Sequence, residues 1–232
     1  MDAESLRQWR QKVAADTQGI SNDDIYDMIQ RVLVRHRPTG RVLDYGAGVG
    51  NLTRRLLQMR SFSEVHAADI MPPPDGLDVP WIQQDLNESI LGFDGYFDVV
   101  IASEVIEHLE NPRHTIRELA RLCSAGGYVI VTTPNNESIR SLLALALRGH
   151  FVSFDKGWYP GHITPVLRKD FTRIFTEAGL QPLGFDFTRF GSLPGRPTKT
   201  WQGVSFGLLK GLRFSNNLLA VALKPKPSEN PA

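Results

Sequence analysis

The sequence predicts a single α/β domain built on a mostly parallel sheet with helices on both faces. Five short apolar runs alternate with segments of helical spacing, as strands do when helices bury both of their faces. A glycine-rich loop follows the first run directly, at the point where a strand gives way to a helix. The length of 232 residues fits one domain.

The apolar runs that predict the five strands lie at residues 41–45, 65–70, 81–86, 97–103 and 127–133. Helices are expected at residues 51–59, 112–123, 138–147 and 168–179, with an apolar helix at 201–212. Two further strands are expected at residues 183–190 and 217–224, separated by a Pro- and Gly-rich loop at 192–199.

One domain is expected over residues 1–224, followed by a disordered tail at 225–232 that is rich in proline. Within the domain, residues 1–38 form an N-terminal helical extension, because apolar residues there recur at helical spacing. Residues 41–135 form the core, and residues 136–167 form an insertion after the fifth strand.

Composition excludes several classes of protein. The 26 basic residues nearly balance the 25 acidic ones, so no overall field attracts nucleic acid or an anionic membrane. The single cysteine, Cys123, cannot form an intrachain disulfide, which suits a reducing compartment. The N-terminus has no apolar run typical of a secretory signal, and no stretch reaches the roughly 18 apolar residues of a membrane span. A cytoplasmic location is therefore expected.

The glycine loop is the first feature that indicates chemistry. Residues 44–50 read Asp-Tyr-Gly-Ala-Gly-Val-Gly, and glycines let a backbone turn sharply and approach a ligand closely. Ligands of open parallel sheets bind at this edge, outside the carboxyl ends of the strands. The nicotinamide-binding fingerprint places its third glycine one residue later, and the Gly-Lys-Ser/Thr ending of phosphate loops is absent.

This loop resembles the first motif of the class I S-adenosylmethionine-dependent methyltransferases. The resemblance implies a Rossmann-like seven-stranded sheet whose last pair includes an antiparallel strand, and it implies S-adenosylmethionine as cofactor. Asp69, at the end of the second strand, would bind the ribose hydroxyls, and Asp85, after the third, would face the adenine amine. The cofactor-binding residues predicted on this basis are Asp44, Gly46, Ala47, Gly48, Asp69, Ile70, Asp85, Leu86 and Ser103. A structural glycine turn with two solvated aspartates is the simpler alternative.

A cluster of acidic residues and histidines follows the fourth strand. Glu104, Glu107 and His108 would share one face of a helical turn. The pattern resembles the Glu-x-x-Glu-His of two groups, the ubiquinone-biosynthesis O-methyltransferases and the 2′-O-methyltransferases of small RNAs, which bind a metal with a later histidine. Here that histidine is His162, in Pro-Gly-His-Ile-Thr, a context that lacks the Gly-Thr-His of the ubiquinone enzymes.

Two functional interpretations of this cluster remain open, beside a third in which its residues have a purely structural role. In the first, Glu104, Glu107, His108 and His162 hold Mg²⁺ or another divalent ion. In the second, His108 and His162 act as a general base and a substrate hydrogen-bond donor without metal, and Glu107 caps a turn. The candidate catalytic residues are His108 and His162 in both interpretations, together with Glu107 in the first.

Residues 138–154 are unusually apolar for a connection after a strand, and in this fold such a segment commonly covers the substrate. A lid over an apolar pocket is expected, with an interfacial membrane helix, a packed insertion and a homodimer contact as alternatives.

The predicted reaction is O-methylation of a hydroxyl on a small-molecule, glycan or lipid-like acceptor, with no specific nucleic-acid partner. A nicotinamide-dependent oxidoreductase and a non-catalytic S-adenosylmethionine-binding protein are the alternatives.

Overall fold

The computed structural model describes residues 3–17 and 21–227 of the chain. Most of the tail expected at 225–232 lies outside the described residues, and 225–227 are exposed and irregular. No helix in these two ranges is long and apolar enough to cross a membrane.

Within the described residues, seven strands form one sheet in the order β3-β2-β1-β4-β5-β9-β6. These strands are β1 (Gly40–Tyr45), β2 (Phe62–Asp69), β3 (Trp81–Gln83), β4 (Phe97–Ser103), β5 (Cys123–Pro134), β6 (Gln181–Phe187) and β9 (Asn217–Leu223). The pairings of β1 to β5 are parallel, and β9 runs antiparallel to both β5 and β6. The expected sheet, with an antiparallel strand in its last pair, is confirmed.

The helices are α1 (Ala3–Thr17), α2 (Asp23–His36), α3 (Asn51–Met59), α4 (Pro112–Leu122), α5 (Ile139–Arg148), α6 (Arg168–Glu177) and the single turn α7 (Trp201–Val204). Local signals in the sequence set several of their ends. Asn22, Asn111 and Ser138 cap α2, α4 and α5 by accepting a hydrogen bond from a backbone N–H of the first turn. Gly149 ends α5 in a left-handed conformation.

Hydrophobic cores lie on both faces of the sheet because side chains alternate along each strand. On β4, Val99 and Ile101 join a core with α2 and α3, whereas Val100 joins a second core with residues of α4 and α6. This arrangement explains why the strands have near-continuous apolar runs, and it confirms the prediction of helices on both faces.

Three expectations about secondary structure are wrong in detail. The third strand ends at Gln83, because Asp85 begins a turn in which it accepts a hydrogen bond from the Asn87 N–H. The loop expected at 192–199 instead forms a hairpin of β7 (Ser192–Leu193) and β8 (Arg196–Thr200). The apolar helix expected at 201–212 stops after one turn, and Phe206 and Gly207 then adopt left-handed conformations.

The second core is expected to contribute strongly to stability. Phe175 of α6 is 1% exposed, so Phe175→Ala should leave a cavity and lower the free energy of unfolding by about 3–5 kcal/mol. The matched control is Phe206→Ala, because Phe206 is 96% exposed and its replacement should change stability by less than about 0.5 kcal/mol. Urea unfolding of the two variants and the parent measures both values, and equal losses would contradict this account of the core.

Candidate active site

The glycine loop forms a tight turn between β1 and α3. Gly46, Gly48 and Gly50 have φ values of 85°, 53° and 79°, a region that favours glycine. The Gly46 N–H donates to the Ala68 carbonyl at 2.8 Å, which ties the loop to the end of β2. A Cβ at Gly46 would overlap the side chain of Val105, so the loop and the segment after β4 pack in direct contact.

Asp69, at the end of β2, is held by backbone N–H groups. One carboxylate oxygen accepts from Gly48 N at 2.8 Å and the other from Met71 N at 2.9 Å. Burial raises the pKa of Asp69, while these hydrogen bonds oppose the rise. Each oxygen keeps a further lone pair, so the carboxylate can still accept from a vicinal diol.

A cavity of about 290 Å³, here called the glycine-loop cavity, lies beside this carboxylate. The cofactor-binding candidates that line it are Gly46, Gly48, Asp69, Ile70, Asp85 and Leu86. One wall comes from α1, which contributes Trp9, Arg10, Val13 and Ala14.

Arg10 joins α1 to the rim of this cavity. Its guanidinium donates to Asp85 at 2.7 Å and to Glu110 at 2.6 Å. Burial would raise the pKa of Asp85, but hydrogen bonds from Asn87 and Arg10 hold it below its usual range. Asp85 is therefore ionised at neutral pH and remains an acceptor.

A second cavity, here called the lid cavity, has a volume of about 1020 Å³. Its walls come from α5, from the segment 150–162 that follows it, from the β7–β8 turn and from the start of α2. Gly46, Glu104, His108 and Gly161 line both cavities. The two cavities therefore meet at these four residues.

The two predicted histidines lie at or beside this junction, with ring centroids 4.7 Å apart. His108 Nδ1 lies 2.9 Å from the Gly161 carbonyl oxygen, and His162 Nδ1 lies 2.8 Å from that of Ser153. A carbonyl only accepts, so each Nδ1 carries the proton and each Nε2 presents a lone pair. Burial, reinforced for His108 by His162, lowers the pKa of His108 to about 4, and burial also lowers the pKa of His162. Both rings are therefore neutral at pH 7.

Aromatic neighbours orient His162. Its ring stacks on Trp158 at 4.9 Å between centroids and lies 5.5 Å from the ring of Phe154. These contacts, together with the Ser153 carbonyl, leave the imidazole few alternative positions.

The two glutamates occupy different environments. The atoms through which Glu107, His108 and His162 could bind a metal ion all lie within 4.8 Å of one another, and Glu104 is not part of this group. Glu107 is fully buried: one of its oxygens accepts from Thr133 at 3.1 Å, and the other has no hydrogen-bond partner in the part of the chain that the structure describes. Burial and the nearby Glu104 raise the pKa of Glu107 well above its usual range.

Glu104 instead accepts hydrogen bonds from Thr132 at 2.8 Å and Asn217 at 2.7 Å. Burial raises its pKa to about 7 despite these bonds. The expectation that Glu104, Glu107 and His108 share one helical face is wrong, because Glu104 has a left-handed φ of 55° and a short 3-10 helix begins only at Ile106.

Three predicted cofactor residues do not line the glycine-loop cavity. Asp44 lies buried beneath the loop, where Thr53 donates to it at 2.6 Å and burial raises its pKa to about 7. Ala47 is buried in the turn, and Ser103 lines the lid cavity. Their roles toward a cofactor stay predictions.

Several residues of this region carry no functional signal in the sequence motifs. Arg10 and Trp9 belong to a helix that was predicted without a functional role, and only the tertiary fold brings them to Asp85. Thr132 and Thr133 could have been found, because they end the fifth apolar run at the same edge of the sheet as Glu104 and Glu107.

Comparisons with known proteins identify the family to which this chain belongs. A family model described as a methyltransferase domain matches residues 7–183. The ubiquinone biosynthesis O-methyltransferase of Erwinia tasmaniensis is 30% identical over 115 residues, which cover 45% of this chain and 46% of that protein. The protein of the same name from Caulobacter sp. is 30% identical over 128 residues, covering 52% and 49%. The matched region thus spans about half the length of these curated relatives.

Solved structures share the fold. A methyltransferase from Archaeoglobus fulgidus that depends on S-adenosylmethionine superimposes with a TM-score of 0.58 at 20% identity, over 86% of this chain and 94% of that one. The 1,6-didemethyltoxoflavin-N1-methyltransferase of Burkholderia thailandensis, solved with S-adenosylhomocysteine, gives a TM-score of 0.64 at 14% identity, over 97% and 89%. Since the family model covers well over half of the residues, this chain belongs to the methyltransferase domain family.

Proposed function

We propose that this enzyme transfers a methyl group to a hydroxyl of a small-molecule, glycan or lipid-like acceptor bound in the lid cavity. The observation that carries the proposal is the junction of the two cavities at His108, with His162 beside it. S-adenosylmethionine would occupy the glycine-loop cavity, with Asp69 accepting from the ribose hydroxyls and Asp85 from the adenine amine. The two curated relatives described above are named ubiquinone biosynthesis O-methyltransferases, which favours oxygen as the nucleophile.

The proposed methyl transfer requires one proton acceptor. The hydroxyl oxygen attacks the methyl carbon, the bond from that carbon to sulfur breaks, and the sulfonium becomes the neutral thioether S-adenosylhomocysteine. The hydroxyl proton must leave during the attack, and the lone pair on Nε2 of His108 or His162 can accept it. The protein otherwise contributes position, because the cofactor supplies its own leaving group.

A divalent ion is a second candidate component. Glu107, His108 and His162 suit one, because their potential ligand atoms lie within 4.8 Å of one another and the Nδ1–H groups of both imidazoles are already engaged. Glu107 also has one buried carboxylate oxygen that lacks a hydrogen-bond partner among the described residues. An ion bound there would orient the acceptor hydroxyl and lower its pKa. Glu104, the fourth ligand expected from sequence, is engaged instead by Thr132 and Asn217.

The cofactor assignment predicts the effect of removing the Asp69 carboxylate. Asp69→Ala should weaken S-adenosylhomocysteine binding about 10- to 100-fold, which corresponds to the loss of one charge-assisted hydrogen bond of about 1.5–3 kcal/mol. Isothermal titration measures the change, and Asp75→Ala, on an exposed turn, is the matched control. Parent-like affinity in Asp69→Ala would remove the ribose contact from the proposal.

The role assigned to His162 predicts that its removal slows catalysis and leaves cofactor affinity nearly unchanged. His162→Ala should slow methyl transfer at least about 100-fold, the usual contribution of a positioned base or metal ligand, while S-adenosylhomocysteine affinity stays within about threefold. The readout is S-adenosylhomocysteine release across a panel of hydroxyl compounds, with His36→Ala as control because His36 lines neither cavity. A variant that retains full activity would favour a transfer in which the protein only positions its substrates.

A chelator distinguishes a mechanism that uses a divalent ion from one that uses a histidine base alone. If an ion takes part, excess chelator should abolish methyl transfer and leave S-adenosylhomocysteine affinity unchanged, because the ion site and the ribose site are distinct. Restored activity on adding back Mg²⁺, Mn²⁺ or Zn²⁺ identifies the ion. Full activity in excess chelator would reject the ion and leave the histidine base as the mechanism.

A further inference from the structure

We propose that the acceptor carries an oxyanion, a carboxylate or a phosphate, attached to an apolar portion, and that Arg140 and Arg148 bind this oxyanion. The inference rests on the proposed function in one respect, which is that the lid cavity holds the acceptor. It adds the chemical class of the acceptor and two residues that select it.

One face of α5 forms a wall of the lid cavity. Arg140, Leu143, Ala144, Leu147 and Arg148 line the cavity, and their spacing of three and four residues places them along a single helical stripe. The stripe therefore presents an apolar surface between two guanidinium groups. Arg140 is half-buried and Arg148 is exposed, at the end of the helix.

Neither arginine has an acidic partner in the described part of the chain, where no carboxylate oxygen lies within 4.0 Å of either guanidinium. Other partly buried arginines differ, since Arg10 pairs with Asp85 and Arg168 pairs with Glu137. Burial and the charge of Arg148 hold the pKa of Arg140 below its usual range, so two like charges act on each other across this wall. An anion bound between them would relieve that repulsion.

The acidic groups on the cavity do not neutralise these arginines. Glu104 accepts from Thr132 and Asn217, and Asp155 accepts from the Gly157 N–H at 2.9 Å. The positive charge on α5 thus remains available to a ligand, and guanidinium groups match the geometry of carboxylate and phosphate oxygens.

The apolar part of the stripe suits the rest of such a ligand. Leu143 and Leu147 are 43% and 81% exposed, and Val152 lines the same cavity from the segment after α5. An alkyl or aryl portion lying against these side chains would remove them from water, which favours binding. A free inorganic ion would gain nothing from this surface.

Short probes that do not form micelles at the concentrations used can test this site in the full chain saturated with S-adenosylhomocysteine. Isothermal titration would compare hexyl phosphate, heptanoate, hexyl glucoside and inorganic phosphate. We expect hexyl phosphate, heptanoate or both to bind at least about tenfold more tightly than the neutral glucoside and inorganic phosphate. The tighter of the two anionic probes distinguishes a phosphate from a carboxylate acceptor.

Variants then assign the binding to α5. Arg140→Gln and Arg148→Gln should each weaken the better anionic probe about tenfold, and the double variant should bind it no better than the glucoside. The matched control is Arg173→Gln on α6, because Arg173 is exposed and lies on neither cavity. Equal affinity for all four probes, or unchanged affinity in the double variant, would overturn the inference.

The outcomes distinguish this inference from the proposed function. S-adenosylhomocysteine affinity should be the same in all arginine variants, because neither arginine lines the glycine-loop cavity. If the probes fail while His162→Ala still abolishes transfer to hydroxyl compounds, only the anionic acceptor is rejected. If the probes bind as expected but no hydroxyl compound is methylated, the anionic site stands and the proposed reaction fails.

Discussion

The contact between Gly46 and Val105 is the constraint on which the functional region depends. Any side chain at position 46 would overlap Val105, and the φ of 85° at Gly46 also favours glycine. This close approach joins the turn after β1 to the segment after β4, while the Gly46 N–H holds the same turn against the end of β2. Three strand ends therefore converge, and for this reason Gly46 and His108 can line both cavities.

The same convergence explains what the sequence could predict. Buried parallel strands have a simple apolar pattern, so β1 and β4 are predicted within one residue at each end, and β5 is predicted except for its first four residues and its last. Asp69 ends β2 as predicted, whereas Asp85 lies beyond the end of β3. The C-terminal region has no such pattern. The side chain of Gln202 accepts from Gly191 and donates to the carbonyls of Leu209 and Phe214, so long-range hydrogen bonds hold this segment rather than a helix of 201–212. Spacing alone does not reveal bonds of that kind.

The sequence identifies the two histidines of the site but does not determine which of their nitrogens carries the proton. Residue type and spacing identified His108 and His162, but the functional state of an imidazole depends on which nitrogen carries the proton. Two backbone carbonyls, Gly161 and Ser153, decide this by accepting from Nδ1. Both carbonyls belong to the segment after α5, whose path depends on packing around Trp158 and Phe154. Glu104 was misplaced for a related reason, since a left-handed residue interrupts the helical turn that its spacing suggested.

The net charge of the chain and the local charge of the lid cavity have different consequences for the binding of an anion. With 26 basic and 25 acidic residues, the protein has no overall field that would attract an anion from a distance. Selection of a charged acceptor therefore has to be local, and it requires cationic groups that are not already neutralised by neighbours. Arg10, Arg121 and Arg168 are paired with carboxylates and serve the fold, whereas Arg140 and Arg148 line the cavity without such partners among the residues described by the structure. The histidines at the junction can lie beside the acceptor hydroxyl while the arginines of α5 bind the oxyanion of the same molecule. Recognition of the acceptor would thus depend on α5, and methyl transfer would depend on the histidines. Substitutions in α5 could then change the preferred acceptor without altering the turn at Gly46.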